Sequence, residues 1–326
     1  MPDLPNRPRY AARLNAFKLG LPGKPTVADL LNRAAQVPGL DAADLNYPDH
    51  FDHHSPAQLS ALLASKAMAL NGLAMRYYTD PGFRLGAFTH PDPRLRRAAI
   101  DLTKRGLDAL AEMGGPIMTL WMGQDGVDYA FQGDYSRMWD HTLEALAEVS
   151  DHNPALDIAL EYKPNEPRAF ALLPDLATNL LALKELNRKN TGITLDFAHV
   201  LYAGEIPAQS AQLAARHSRL LGVHLNDGYG KRDDGLMAGS VHPMQTLELF
   251  VELARQNHTG VIYFDTFPDH SGLDPVAEAT TNILMADRFR AIAARLKDNP
   301  DLARAIAAQD AAIALRIVAD HLYGAA

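Results

Sequence analysis

Short apolar segments alternate with amphipathic segments along most of the chain. The period is roughly 30–40 residues, as in repeated strand–helix units. The apolar segments predict eight strands, at Leu14–Leu19, Ala42–Tyr47, Leu73–Tyr77, Ile117–Met122, Leu156–Tyr162, Ile193–Phe197, Gly222–Asn226 and Val261–Thr266. The amphipathic segments predict helices, among them Pro56–Leu70, Pro93–Met113, Tyr135–Ser150, Pro174–Lys189 and Met244–Gln256. Several begin with proline, whose missing N–H costs little in the first turn.

Eight strands that alternate strictly with helices predict an α/β fold of the (β/α)8 barrel type. A doubly wound open sheet is the structural alternative, but no glycine-rich phosphate loop follows the first predicted strand. The length of 326 residues is normal for one barrel. We therefore expect residues 1–326 to form a single barrel domain.

A long segment rich in alanine, leucine and arginine follows the eighth predicted strand, from Pro275 to Leu322. Pro300 is expected to separate two helices within it. Residues 275–326 are thus predicted to form the last barrel helix and an additional C-terminal helix. The extra helix either covers the barrel or forms an oligomer interface, and both interpretations remain open.

Four of the predicted strands end at a carboxylate or an imidazole, namely Glu161, Asp196, His224 and Asp265. A carboxylate on a buried strand is costly unless it is paired or bound to a metal. Reactive groups project from the C-terminal strand ends of such a barrel, so the four should be neighbours at its mouth. Any one of them could simply cap its strand. Together they predict a site for a divalent cation, Mn²⁺ above all, or Mg²⁺ or Co²⁺.

Further donors follow the same strands. His199 lies three residues after Asp196, and Asp233 with Asp234 occupies the long loop after His224. A second ion held by His199, Asp233 and a bridging Asp196 would give a two-metal site. Paired aspartates in a glycine-rich loop are more often a solvated turn than ligands. One or two ions are therefore expected.

Other residues near these strand ends could act on a substrate. Lys163 points to the same side of its strand as the carboxylate two positions earlier, where its ammonium could polarise a carbonyl oxygen or simply neutralise the acids. Trp121 and Phe131 could form an aromatic wall, although such residues are often plain packing. His90 could shuttle a proton, and His54 is the least certain candidate for substrate contact.

Composition narrows the class of partner. The net charge of −8 favours small molecules and counts against nucleic acids and anionic membranes. The chain has no cysteine, which leaves nitrogen and oxygen ligands for a metal. The N-terminal sequence has no signal-peptide core and no segment has the length of a membrane span, so a cytoplasmic protein is expected.

Five segments resemble the xylose isomerase-like TIM barrel superfamily and, within it, the bacterial L-rhamnose isomerases. They are LGAFTHPDPRLRRAAID, TLWMGQDGVDY, ALEYKPNEPR, TLDFAHV and VHLNDGYGKRDDGLMAGS. They extend from about the third strand to the eighth. The blocks EYKP, LDFAH and HLND are specific in combination, because they recur in this order on the expected strands.

The resemblance implies a role for each matched residue. The structural-metal ligands would be Glu161, Asp196, His224 and Asp265, and the catalytic-metal ligands would be Asp196, His199 and Asp233. Lys163 would lie near the reacting oxygens, His90 would help to open the sugar ring, and Trp121 would be the aromatic wall. Two features depart from the family: a shorter N-terminal region, and Gly235 where a third acid of the catalytic-metal loop is expected.

These features predict a metal-dependent aldose–ketose isomerase acting on a free sugar, such as L-rhamnose or a branched aldose such as D-apiose. His90 and Asp265 would open the ring, and Lys163 would stabilise charge on the carbonyl oxygen. Hydrogen would move by a hydride shift or through an enediol. A ketose 3-epimerase is the alternative. A DNA-repair endonuclease fits the acidic chain less well, and so does a non-catalytic sugar-binding protein. A homo-oligomer, a dimer or tetramer, is expected.

Overall fold

A computed structural model describes residues 7–324, in which eight parallel strands form a closed barrel. Each strand pairs with the next along the chain, and the last pairs with the first. The (β/α)8 barrel is confirmed. The strands are β1 (Tyr10–Arg13), β2 (Ala42–Tyr47), β3 (Ala69–Met75), β4 (Ile117–Trp121), β5 (Asp157–Glu161), β6 (Thr191–Asp196), β7 (Leu220–Leu225) and β8 (Ile262–Phe264).

Helices surround the barrel and have clear start signals. Thr26 with Asp29, and Ser55 with Gln58, form capping boxes, and several other helices begin with proline. The helices are α1 (Val27–Ala34), α2 (Pro56–Ser65), α3 (Pro93–Glu112), α4 (Tyr135–His152), α5 (Leu176–Leu186), α6 (Phe197–Tyr202), α7 (Pro207–His217), α8 (Pro243–Arg255), α9 (Pro268–Ser271), α10 (Pro275–Leu296), α11 (Pro300–Ala307) and α12 (Ala311–Tyr323).

Short 3₁₀ helices occupy Leu14–Lys18, Asp49–Phe51, Tyr77–Thr79 and Pro81–Phe83, and Gly126–Val127 pairs with Phe170–Ala171 outside the barrel. The prediction for the first strand was therefore wrong, because the strand is Tyr10–Arg13. Leu14 and Phe17 of the 3₁₀ helix are buried, which explains the apolar pattern of that segment. A short apolar run cannot by itself distinguish a strand from a buried helical turn.

The interior of the barrel changes from apolar to polar towards its mouth. Ala11 and Ala42 pack with Tyr263 in a small cluster separate from the main core. Arg13 and Asp44 lie two residues further along the same strands, and so on the same side by the two-residue period of a strand. The C-terminal end of the barrel interior is therefore lined by charged side chains.

The C-terminal segment contains three helices rather than the two predicted. Pro300 begins α11, as expected. A second break follows at residues 308–310, where Gln309 has a positive φ of 53° and Asp310 caps α12. No residue of α12 is fully buried, and Ile313, Leu315 and Tyr323 are exposed.

Within residues 7–324, no helix is both long and apolar enough to cross a membrane.

Candidate metal centre

The structure brings Glu161, Asp196, His224 and Asp265 together at the mouth of the barrel. Glu161 and Asp196 are the last residues of β5 and β6, His224 lies in β7, and Asp265 directly follows β8. Asp196 and His224 face each other in register across neighbouring strands. One potential ligand atom from each of the four residues lies within 4.8 Å of the others. Four predicted strand ends thus form one cluster.

The donor atoms of this cluster fit a divalent cation. His224 Nδ1 lies 3.3 Å from Glu161 Oε1 and 4.0 Å from Asp196 Oδ2, yet it is buried and has no hydrogen-bond partner in the part of the chain described. Three carboxylates and one imidazole supply the hard oxygen and nitrogen donors that Mn²⁺ and Mg²⁺ prefer. A cation among these atoms would satisfy the unpaired nitrogen and neutralise the acids.

The charges of the cluster also call for a cation. Burial and the neighbouring carboxylates raise the pKa of Asp196 and of Asp265. Burial alone would lower the pKa of His224, but Glu161, Asp265 and Asp196 outweigh it and raise that pKa to about 9. These pKa shifts favour protonated forms of Asp196, Asp265 and His224. A divalent cation displaces such protons when it binds.

His199 and Asp233 lie beside the cluster. The Nε2 atom of His199 is 3.1 Å from Asp233 Oδ2, and its Nδ1 is 3.6 Å from Glu161 Oε1 and 3.8 Å from Asp196 Oδ1. Burial alone would lower the pKa of His199, but the neighbouring carboxylates outweigh burial and raise that pKa to about 9. The same Asp233 oxygen also accepts a hydrogen bond from Lys163. A second ion at these residues stays a prediction.

Lys163 extends into the same cavity as a buried ammonium. Its Nζ lies 3.1 Å from Asp233 Oδ2, 2.8 Å from Glu166 Oε2 and 5.2 Å from the centre of the Trp121 ring. Burial lowers the pKa of Lys163, but Asp233 and Glu166 outweigh burial and raise it above its ordinary value. Lys163 therefore remains charged beside the cluster.

A cavity of about 410 Å³ opens above these residues. This volume lies in the ~300–1,000 Å³ range of small-molecule sites. Its walls include Glu161, His224 and Asp265 from the cluster, together with Lys163, His199, Asp233 and Trp121. Three side chains predicted to act on a substrate therefore line one cavity, namely Lys163, Trp121 and Asp265.

Three predicted site residues do not line this cavity. The ring of His90 is buried elsewhere, and its Nδ1 accepts a hydrogen bond from the backbone N–H of Asp92 at 3.0 Å. Phe131 is fully exposed, with a relative accessibility of 103%. His54 is half-buried outside the lining. Contact of these three side chains with a substrate stays a prediction.

Several residues of the site were not predicted from the sequence. Asp44 is buried on β2, lines the cavity and accepts a 2.6 Å hydrogen bond from Asn71. Burial raises its pKa to about 7. Arg13 on the neighbouring β1 and Arg76, which directly follows the neighbouring β3, also line the cavity. Asp44 lies within β2 rather than at its end, so a search for polar residues at strand ends does not find it.

Asn226 is the missed residue with the most contacts to the cluster. Its amide donates to Asp196 Oδ1 at 3.2 Å, to Asp196 Oδ2 at 3.0 Å and to the carbonyl of Asp265 at 3.1 Å. Its oxygen accepts from the backbone N–H of Ala198 at 2.8 Å. Its position in the HLND block, two residues after His224, is a signal that could have revealed it.

The family of the chain follows from comparison with known proteins. The family described as "Xylose isomerase-like TIM barrel" matches residues 31–288. The chain belongs to this family, and the resemblance inferred from the sequence is confirmed. It is similar to xylose isomerases of Thermus thermophilus and Thermus caldophilus, at 30% and 29% identity over 241 residues, or 71% of this chain. It spans only 62% of the length of these relatives.

Solved structures with the same fold include several sugar epimerases. The chain is similar to a D-allulose 3-epimerase from Methylomonas sp., with a TM-score of 0.68, 19% identity, and coverage of 87% of this chain and 98% of that one. It is also similar to a D-tagatose 3-epimerase-like protein, with a TM-score of 0.70, 16% identity, and coverage of 88% and 98%. At these identities the likeness shows the shared fold alone.

Proposed function

We propose that this chain is a divalent-metal-dependent isomerase that interconverts an aldose and the corresponding ketose. The observation that carries this proposal is a four-ligand cluster whose cavity also contains the buried ammonium of Lys163. A metal centre beside a fixed positive charge suits a substrate in which negative charge develops on a carbonyl oxygen. The similarity to curated xylose isomerases supports the same reaction.

Glu161, Asp196, His224 and Asp265 would hold the metal, with Mn²⁺ as the first expectation and Mg²⁺ or Co²⁺ as alternatives. When bound, the ion would polarise neighbouring sugar oxygens. A second ion would use His199, Asp233 and a bridging Asp196. The cavity volume suits a free monosaccharide such as L-rhamnose, xylose or the branched aldose D-apiose.

The side chains of the protein would do the remaining work. Lys163 would donate a hydrogen bond to the carbonyl oxygen of the open-chain sugar and stabilise the charge that develops there. Asp233 and Glu166 hold the lysine in place. Asp265, which lines the cavity, would accept the proton of the O1 hydroxyl as the C1–O5 bond breaks and would pass it to O5. His90 does not line this cavity, and its part in ring opening stays a prediction.

Turnover of a panel of free aldoses tests the proposal. Rhamnose, apiose, lyxose, allose and xylose are incubated with protein that has been treated with a chelator and then supplied with Mn²⁺, Mg²⁺ or Co²⁺. We expect ketose from at least one aldose only after a metal is restored, and none from Glu161→Gln. Full activity of the chelated protein would contradict the proposal.

A ketose 3-epimerase is the second candidate. Two carboxylates of the cluster, Glu161 and Asp265, line one cavity, and epimerisation needs a proton-exchanging group on each face of one carbon. The epimerases of the same fold also point this way. Turnover of a ketose in D₂O distinguishes the reactions, because epimerisation places deuterium at C3. Aldose formation without label at C3 supports isomerisation.

We also propose that the protein forms a homo-oligomer through its C-terminal helices. The support is the set of exposed apolar side chains on α12, including Ile313 and Leu315. Sedimentation of the wild type and of Leu315→Glu tests this. Dissociation of the oligomer by this substitution is expected, and a wild-type monomer at micromolar concentration would contradict it.

A further inference from the structure

A second cavity opens beside the metal cavity. It has a volume of about 590 Å³, and Tyr78, Trp121 and Glu166 line both cavities. Its other walls come from residues 79–85, 124–128 and 167–168, which follow β3, β4 and β5. Each cavity alone has the size of a small-molecule site. The two cavities share these walls, and together they have room for more than one monosaccharide.

Two buried polar groups on the wall of this second cavity lack partners. Gln124 is 4% exposed, and its Oε1 accepts no hydrogen bond from any residue in the range 7–324. The indole N–H of Trp121 likewise has no acceptor there. A buried polar group without a partner destabilises the protein. Hydroxyl groups both donate and accept, so a polyol in the cavity could satisfy the amide oxygen and the indole nitrogen once these side chains turn their shielded polar atoms towards it.

The charges of the second cavity indicate a neutral ligand. Arg84 and Arg168 are accompanied by Asp80, Asp128 and Glu166 on the same walls. Arg168 is engaged by Asp128, whose Oδ2 lies 2.9 Å from its Nε. Phosphate and nucleotide sites instead concentrate uncompensated positive charge. Acids outnumber bases on these walls, which disfavours an anionic ligand.

Aromatic rings stand where the two cavities meet. Tyr78 and Trp121 pack edge to face with their centres 5.1 Å apart, and Tyr78 is 40% exposed. Rings of this kind present an apolar body beside polar groups. This combination suits a sugar ring, which has both apolar C–H faces and hydroxyl groups. It would hold such a ring at the boundary of the metal cavity.

We infer that the second cavity is a carbohydrate subsite for the sugar ring attached to the one that occupies the metal cavity. This inference rests on the proposed function. Isomerisation requires a free reducing end, which lies at the metal, and leaves the other end of the sugar open to substitution. The substrate class is therefore a short saccharide, whose reducing-end residue reacts while its neighbour binds between Tyr78 and Gln124.

Calorimetric titration with a matched pair of sugars tests the subsite. Xylose and β-1,4-xylobiose share the same reducing end and differ by one ring. With protein supplied with Mn²⁺, we expect xylobiose to bind at least about tenfold more tightly than xylose. Gln124→Met removes the acceptor at similar volume and should weaken xylobiose binding about tenfold relative to xylose binding. Gln212→Met on α7 is the matched control and should preserve the ratio.

A second variant covers the case in which Gln124→Met fails to fold. Leu85 is exposed on the wall of the cleft, and Leu85→Phe narrows it without touching a buried group. It should reduce the affinity for xylobiose more than that for xylose. Equal affinities for the two sugars would overturn the inference, and so would no binding of either sugar. It would also be overturned if self-association of the protein at high concentration abolished xylobiose binding. Tight xylobiose binding without any isomerisation would instead overturn the proposed function and leave the subsite standing.

Discussion

Asn226 donates hydrogen bonds to both carboxylate oxygens of Asp196, at 3.2 and 3.0 Å. Asp196 also caps helix α6, because its Oδ1 accepts from the backbone N–H of His199 at 3.0 Å. The carboxylate is therefore fixed from two directions before any ligand binds. Outer groups of this kind orient metal ligands and tune their affinity.

Replacement of Asn226 should weaken metal binding. Asn226→Ala leaves Asp196 free to rotate, so we expect the affinity for Mn²⁺ to fall about 10–100-fold. Calorimetric titration of the chelator-treated protein with Mn²⁺ measures this. Asn32→Ala, on the exposed face of α1, is the control and should bind as the wild type does. Unchanged affinity of Asn226→Ala would show that Asp196 needs no such support.

Removal of one acid from the cluster should affect the metal-free and metal-loaded proteins in opposite directions. Burial and the other acids raise the pKa of Asp265, so Asp265→Asn relieves a cost in the metal-free protein and should raise its Tm. The same change removes a ligand, and the increase in Tm on addition of Mn²⁺ should be largely lost. Thermal denaturation with a chelator and with Mn²⁺ measures both effects.

The surface variant Asp101→Asn provides the comparison, because Asp101 lies on α3 and pairs with Arg97 at 3.6 Å. Asp101→Asn should change the Tm of the metal-free protein and of the Mn²⁺-loaded protein by no more than about one degree, since exposed ion pairs contribute about 0–1 kcal/mol. A lower Tm of metal-free Asp265→Asn would mean that the contact of Asp265 with Arg13, at 4.0 Å, outweighs the repulsion within the cluster.

Loss of the Lys163 ammonium should act on turnover rather than on metal binding. Lys163→Met keeps the apolar stem but removes the charge, so kcat should fall about 10²–10³-fold. The affinity for Mn²⁺ should stay within a few-fold, because Lys163 is not in the four-ligand cluster. Steady-state kinetics and metal titration separate the two. Lys104→Met, which removes an ammonium bonded to Glu148 on the helical surface, should retain wild-type turnover.

His50 should make the fold sensitive to mild acid. Burial, with help from the charges of Arg76 and His54, lowers its pKa to about 3. The backbone N–H of Asn46 donates to His50 Nδ1 at 3.0 Å, and Nε2 lies 3.0 Å from Asn15 Oδ1, so the neutral ring is the one that fits. The unfolded chain binds a proton near pH 6.5. The stabilisation is therefore complete above about pH 6.5 and is lost as the pH falls towards 3.

Urea denaturation at several pH values measures this effect. The free energy of unfolding of the wild type should fall by about 2 kcal/mol between pH 8 and pH 5 through His50 alone. His50→Gln removes the titrating group and should reduce the pH dependence by that amount, although the variant is less stable at pH 8. An identical pH dependence in the two proteins would show that His50 accepts a proton within the fold.

The sequence predicted the residues of the cluster because their signal is local. Glu161, Asp196 and Asp265 each end or follow an apolar run, and repeated strand–helix units place such positions at one end of a barrel. The pattern could not predict Asp44, whose carboxylate interrupts a buried strand. It could place Asn226, which directly follows β7, on the same side as His224, two residues earlier, but it could not predict the hydrogen bonds of Asn226 to Asp196.

Errors arose where several conformations share one pattern. Leu14–Lys18 is apolar because it packs on the core, not because it is a strand. His90 follows β3 in a loop and does not line the cavity; Asp125 accepts hydrogen bonds from the backbone N–H groups of Ala87 and Thr89 in that loop. Tertiary contacts of this kind leave no periodic signal in the sequence.

The pairing of β1 with β8 sets the order in which the protein can be completed. Tyr10 lies in register with Ile262, so a ribosome must deliver nearly the whole barrel before the ring can close. Until then the growing sheet has an open edge at β1, a surface prone to pairing with other chains. Asp265 follows the closing strand directly. Asp265 is therefore the last of the four ligands to be synthesised, and tight metal binding would begin only when the barrel closes.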